Sequence, residues 1–344
     1  MTADASRVST SKVINENVPR NLLEFRQYCM GFRDDEHVHD LVDDLTFSVK
    51  EGSVLGVVGE SGCGKSMTAL SVLRLLPSAA VVQGGEILFN GENLLAKSEA
   101  EMEKIRGRDI AMVFQEPMTS LNPVHTVGRQ IAEVFRIHRP AMGADERRTA
   151  TVALLREVGI ANPEQRCDQY SHQLSGGMRQ RVMIAMAVAC GPQLLLADEP
   201  TTALDGTIQA QVLALMQELK QQTRGSIMLI THNLGVVAET CNEVVIMYAG
   251  RIVECGSIEQ IFDRPVHPYT RGLLASIPSL QGNVGDLYSI PGSVPSVENF
   301  EPGCRFAPRC GLKRDYCSRE VPPLADIAPG HAVACWVTGS GRQP

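Results

Sequence analysis

Eight consecutive residues, Gly59-Glu60-Ser61-Gly62-Cys63-Gly64-Lys65-Ser66, fit the pattern G-x-x-x-x-G-K-[ST] in full. Such a loop wraps a phosphate chain with its backbone N–H groups turned inward, in conformations that a Cβ obstructs, which is why it needs its glycines. Lys65 reaches the β- and γ-phosphates of a nucleotide, and the Ser66 hydroxyl goes to Mg²⁺. Cys63 sits at a variable place in the loop, as a small tolerated side chain or, alternatively, as a thiol-based redox brake. The loop needs a carboxylate for the metal and a group to activate water. Leu194-Leu195-Leu196-Ala197-Asp198-Glu199-Pro200 supplies both. Asp198 is placed to hold Mg²⁺ directly or through water, and Glu199 to orient or deprotonate the attacking water. Alone, such a pair reads as a solvated strand end; downstream of a phosphate loop it reads as chemistry. Leu174-Ser175-Gly176-Gly177-Met178-Arg179-Gln180-Arg181 then opens an apolar helix with a serine and two glycines, a second anion-facing N-terminus. One nucleotide does not need two cradles in one chain, whereas two chains set head to tail would use both.

The elements that must position these residues follow from periodicity. Val54–Val58 reads as a buried strand feeding the glycines, followed by a helix from about Ser66 to Leu76. Leu194–Ala197, Ser226–Ile230 and Val244–Tyr248 are further short apolar strands. The segment Thr207–Thr223 carries Ile208, Val212, Leu215 and Leu219 on one helical face. Strand-like stretches at Leu22–Phe25 and Leu45–Val49 and a Gly-punctuated hairpin over 84–95 suggest a side sheet. From about Met118 to Tyr170 the pattern is mainly helical, with Val127–Ile137 and a helix from Asp145, its expected cap, to Val158, ended by Gly159. Strands alternating with helices predict an α/β core with a largely parallel buried sheet.

Composition narrows the function classes. Apolar residues make up 44% of the 344 and charged residues 21%, enough to pack a core. The net charge of −7 argues against a broad nucleic-acid surface. The longest apolar run, Val182–Cys190, is nine residues, against the ~20 that a bilayer span requires. The opening MTADASRVSTSK has no apolar core of the kind a secretory leader carries, so residues 1 to about 20 are expected to be flexible and the chain not secreted.

GESGCGKS, LSGGMRQRV, LLLADEPT, Ala203-Leu204-Asp205 and Thr231-His232, in this order over about residues 21–264, resemble the ATPase subunit of an ATP-binding-cassette (ABC) transporter. The resemblance implies the ABC-type P-loop NTPase fold: a mixed-sheet core, an antiparallel β-subdomain and a helical subdomain at about 117–178. It makes Gln115 the loop glutamine that senses Mg²⁺ and water and couples the site to a membrane partner, and His232 the switch histidine at the γ-phosphate. Asp205 would lie at the dimer seam. Ser175, Gly176, Gly177 and Gln180 would act on the partner's ATP. Phe32, with Tyr28 as alternative, would stack on adenine.

Two further segments, Glu116-Pro117-Met118-Thr119-Ser120-Leu121-Asn122-Pro123 and Arg264-Pro265-Val266-His267-Pro268-Tyr269-Thr270-Arg271-Gly272-Leu273-Leu274, resemble the oligopeptide/dipeptide branch of bacterial importers, which carries a C-terminal extension. That branch implies a peripheral protein on the cytoplasmic face of the inner membrane. Its implied partners are two permease subunits, an external solute-binding protein and a second ATPase chain, more often a related distinct chain than a copy. Nickel, glutathione, opines or oligosaccharides are alternative cargoes, and a soluble cassette ATPase of translation or DNA repair is the rival class.

The tail, 265–344, is built differently: it holds 11 of the 19 prolines and the cysteines Cys304, Cys310, Cys317 and Cys335 in the spacing C-x5-C-x6-C-x17-C. In a reducing compartment clustered cysteines read as metal ligands. Structural zinc favours paired C-x2-4-C knuckles, so the wider spacing suits an iron–sulfur cluster better, with zinc and unligated thiols as the alternatives. The resemblance also implies a Cys₄ [4Fe–4S] cluster here.

Overall fold

The computed structural model describes residues 20–34, 37–115, 120–202, 206–223, 225–277 and 288–339. The expectation for residues 1–20 therefore lies almost wholly outside the described residues, as do Ala203-Leu204-Asp205 and Glu116–Thr119. In chain order the strands and helices are β1 (Asn21–Arg33), β2 (Val38–Lys50), β3 (Val54–Val58), α1 (Lys65–Val72), β4 (Ala80–Phe89), β5 (Glu92–Asn93), α2 (Glu99–Ile105), β6 (Ile110–Val113), α3 (Val127–His138), α4 (Ala144–Glu157), α5 (Pro163–Cys167), α6 (Gly176–Val188), β7 (Leu194–Asp198), α7 (Gly206–Thr223), β8 (Ser226–Thr231), α8 (Leu234–Thr240), β9 (Glu243–Tyr248), β10 (Arg251–Ser257), α9 (Ile258–Asp263), α10 (Pro268–Ala275), β11 (Ala325–Ala328) and β12 (His331–Val333).

An eight-stranded mixed sheet runs in the order β11-β12-β10-β9-β3-β8-β7-β6. Its centre is parallel: β3 pairs with β8 and β9, and β7 with β6 and β8. β3, β7 and β8 are buried at every position, as continuous apolar runs covered on both faces must be. Alternation along the strands divides the two faces. Ala111, Val113, Leu195 and Ala197 pack with the helices α3, α4, α6 and α7. Ile110, Met112, Leu194 and Leu196 pack with α1 and a second, antiparallel sheet, β2-β1-β4-β5. Tyr28 pins that sheet to α1, donating to Ser71 Oγ at 2.8 Å inside the core.

Several elements depart from the sequence reading. β1 is 13 residues, much longer than Leu22–Phe25, because register shifts on either side of Tyr28 and a positive φ of 48° at Gln27 break the alternation that marks a strand. Helix α4 starts at Ala144 with Gly143 in the cap position, and Asp145 stands in its first turn instead of capping it. Beyond residue 264 the chain stays in contact with the core: β12 pairs antiparallel with β10, and β11 antiparallel with β12, extending the main sheet. Among the described residues no helix is long and apolar enough to cross a membrane.

Candidate active site

Register brings the site together. Val58 pairs with Thr231, and Asp198 with Ile230, so β3, β7 and β8 end side by side and hand the chain to the phosphate loop, Glu199 and His232 at one edge. Ligands of open α/β sheets gather at this carboxyl edge. Within the loop, Gly59 is obligatory because a Cβ there would lie 2.3 Å from Met247 O. Gly64, at φ 96°, occupies backbone space that L side chains rarely enter and opens α1. Lys65 is buried, its Nζ donating to Gly59 O at 2.8 Å and Glu60 O at 3.0 Å. That arrangement arches the loop under the ammonium. Burial pushes the Cys63 thiol up, which favours the packed-side-chain reading over a reactive thiolate.

Ser66 Oγ donates to Asp198 Oδ1 at 3.0 Å, which places a hydroxyl and a carboxylate as joint oxygen donors for Mg²⁺. Burial pushes the Asp198 carboxyl up, with the Ser66 hydrogen bond opposing it. Glu199 collects three neighbours: Thr202 Oγ1 at 2.8 Å, Gln115 Nε2 at 3.2 Å and His232 Nδ1 at 3.2 Å. Burial alone would raise its carboxyl, but the bonds from Thr202 and His232 and the nearby charge of Lys65 outweigh it and hold the group below its ordinary value. Two adjacent carboxylates are thus driven in opposite directions, the usual sign of divided roles.

A cavity of about 350 Å³ is lined by Ser61, Gly62, Gly64, Lys65, Ser66, Gln115 and Glu199, and by Phe32 and Leu41. Phe32 therefore shares the site, while the alternative Tyr28 is buried under β1. Thr202 and Leu41 were not singled out by sequence; Thr202 stands in the turn after the acidic pair, but Leu41 on an edge strand carries no local signal. Ser175 caps α6, accepting from Met178 N at 3.3 Å. Ser175 and Gly176 are exposed and Gly177 half-buried, none of them lining the cavity. Gln180 is buried, with Nε2 lacking a hydrogen-bond partner among the described residues, so it does not share the surface of the other three.

Next to Gln115 lies a second, larger recess of about 520 Å³ between the main sheet and the helical subdomain. Phe114, Ile137 and Leu75 are on its rim, and all are exposed apolar side chains.

In the tail, all four cysteines are free thiols. Burial pushes the Cys304 thiol up to about 12, and the charges of Cys335, Cys310 and Cys317 act on it in the same direction. Backbone N–H groups of Phe306, Leu312 and Arg314 point at the sulfurs of Cys304, Cys310 and Cys317 respectively. Among the described residues no group of three or more His, Cys, Asp or Glu side chains is arranged to hold a metal ion. The expected cluster thus has no formed metal geometry among the described residues.

Comparison with known proteins agrees with this geometry. Residues 42–202 match the family model described as ABC transporter, and residues 253–317 the model described as oligopeptide/dipeptide transporter, C-terminal region. A probable peptide ABC transporter ATP-binding protein, y4tR of Sinorhizobium fredii, is 54% identical over 92% of this chain and 94% of its own. This chain belongs to the ABC transporter ATPases, in their oligopeptide/dipeptide branch. Another relative in the branch, the oligopeptide transport ATP-binding protein AppD of Bacillus subtilis, is 49% identical over 86% of this chain and 90% of its own. Among solved structures, the dimeric bacterial ABC transporter cassette MJ0796 superposes with a TM-score of 0.62 at 25% identity, covering 69% of this chain and 98% of that one. The cassette cbiO1 of Clostridium perfringens, part of the complex cbiONQ, gives 0.61 at 25% identity over 71% and 91%. Like the family, this ABC ATPase hydrolyses ATP.

Proposed function

We propose that this chain powers the import of di- or oligopeptides, working from the cytoplasmic face of a bacterial cell membrane beneath two permease subunits. The observation that carries the reading is the joint presence of the Ser66–Asp198 and Glu199–His232 pairs on one phosphate-loop edge with the branch-specific tail packed on the same core. The loop N–H groups and Lys65 bind the phosphates of ATP. Ser66 and Asp198, with Gln115, would hold Mg²⁺, which neutralises β- and γ-phosphate charge when bound. Glu199, kept ionised, takes a proton from the water whose oxygen attacks the γ-phosphorus; the bond to the β,γ-bridging oxygen breaks and ADP leaves. His232 and Thr202 hold the carboxylate toward that water, and Phe32 stacks on adenine.

A second ATPase chain, related but distinct, closes head to tail. Its nucleotide meets Ser175, Gly176 and Gly177 of this chain, and Asp205 belongs at the seam. Phe114, which lines the recess with Ile137, is the chain neighbour of Gln115, whose Nε2 bonds to Glu199. The recess suits an apolar segment of a permease, through which closure is felt in the membrane. An external solute-binding protein delivers the peptide. Cys304, Cys310, Cys317 and Cys335 would hold a [4Fe–4S] cluster, with zinc as the runner-up; the sulfurs of Cys304, Cys310 and Cys317 accept backbone N–H bonds of the kind that surround metal-bound thiolates. Affinity purification of the tagged chain from membranes tests the assembly. Recovery of two permease subunits and a second ATPase chain is expected, and a chain that tracks with ribosomes or DNA would overturn it.

A further inference from the structure

Glu60 is the second residue of the phosphate loop, yet its N–H and its carboxylate are both held from beyond residue 264. The N–H donates to Tyr269 Oη at 3.0 Å. Arg309 Nη1 stands 3.0 Å from each carboxylate oxygen. Neither partner is free to swing. The Arg309 side chain is only 6% exposed, and it donates from Nε to Pro291 O at 2.9 Å and from Nη2 to Ile290 O at 3.2 Å. Tyr269 is fully buried, edge-on to Tyr248 at 4.7 Å, and burial holds its phenol far above the ordinary value, so it stays neutral. Three residues before Arg309 on its own short segment, Phe306 packs against both tyrosine rings.

A carboxylate in a loop that must receive a polyphosphate is a liability, because like charges at close range inside a partly desolvated site repel. A side chain that pivoted freely there would also leave the loop N–H groups without a fixed direction. The geometry points to Arg309, with Tyr269, as a positioning residue for nucleotide binding: the tail neutralises and immobilises Glu60, so that the loop meets ATP with its N–H groups aimed and its one acidic side chain compensated. This rests on reading residues 59–66 as the phosphate cradle. It gives the C-terminal extension a direct part in ATP affinity.

The test uses the assembled importer complex, with binding of a fluorescent ATP analogue and the KM and kcat of ATP hydrolysis as readouts. Arg309→Ala is expected to weaken ATP binding and raise KM about tenfold, about 1.4 kcal/mol, with kcat changed less than twofold. Arg309→Lys, which keeps the charge but loses the fork, should fall between. Removing the carboxylate as well, in the double variant Arg309→Ala with Glu60→Gln, should restore affinity to within about threefold of the unaltered protein. Glu60→Gln alone leaves the Arg309 cation unpaired against the phosphate loop and is expected to tighten ATP binding severalfold. A double variant as weak as Arg309→Ala would reduce the contact to packing and overturn the proposal, as would Glu60→Gln binding ATP no better than the unaltered chain. The Glu60→Gln arm decides the matter if Arg309→Ala does not fold. Lys65→Ala serves as the separate control: if it binds ATP normally, the cradle reading itself fails.

Discussion

Gln115 Nε2 donates to Glu199 Oε2 across 3.2 Å, joining the loop that leaves β6 to the residue that follows β7. Phe114, one residue back, lines the apolar recess outside. Two adjacent residues thus stand between the apolar recess and the carboxylate of Glu199.

Glu199→Gln keeps the shape of the side chain and removes its capacity to accept a proton. ATP hydrolysis is expected to fall by about 10² to 10⁴, the usual worth of a general base, while Mg²⁺-ATP binding persists and the ATPase dimer stays closed. Steady-state turnover beside nucleotide binding checks this; hydrolysis within a few fold of normal would remove Glu199 from the role.

Asp198 carries a stability cost that its chemistry explains. Burial raises its folded-state value above that of the unfolded chain, so the folded form binds the proton more tightly. The stability this proton brings is complete at low pH and lost as pH rises through the folded value. At neutral pH the metal-free folded protein therefore bears an unfavourable ionised carboxylate. Asp198→Asn removes that cost and keeps an acceptor for Ser66. Its melting temperature in EDTA at pH 7.5 is expected to rise by about 2 °C, with Mg²⁺-dependent ATP hydrolysis abolished. A lower melting temperature would contradict the sign.

Much of this site is legible in sequence for a physical reason. Strand β3 runs straight into the glycines, and β7 and β8 end on Asp198 and one residue before His232, so local apolar runs plus parallel register place the chemistry. What escaped was long-range or irregular. Leu41 reaches the cavity from β2, paired antiparallel with β1, and the hold of Tyr269 and Arg309 on Glu60 spans more than 200 residues. Gln180, read as a signature residue, is turned inward by the phase of α6, a distinction that the run SGGMRQR does not carry.

Ser175→Arg places a long cation at the exposed start of α6. Nucleotide cross-linking in the assembled complex is expected to show a larger loss on the partner's phosphate loop than on this chain's Lys65. Earlier failure at this chain's own loop would exclude the head-to-tail arrangement.

The proposed cluster makes a compositional prediction. Anaerobic purification is expected to yield a brown protein with about four iron atoms per chain, lost in Cys317→Ser and on prolonged chelation. Stoichiometric zinc, or neither metal, would overturn the cluster.

The most direct measurement is uptake of a radiolabelled dipeptide or short oligopeptide into vesicles that hold the reconstituted permease and ATPase subunits, with ATP enclosed on the side of this chain and the solute-binding protein outside. Accumulation that requires ATP, and that Glu199→Gln abolishes without dissociating the complex, is the expected result. A complex that hydrolyses ATP at an unchanged rate with or without peptide-loaded binding protein, and moves no peptide, would contradict it.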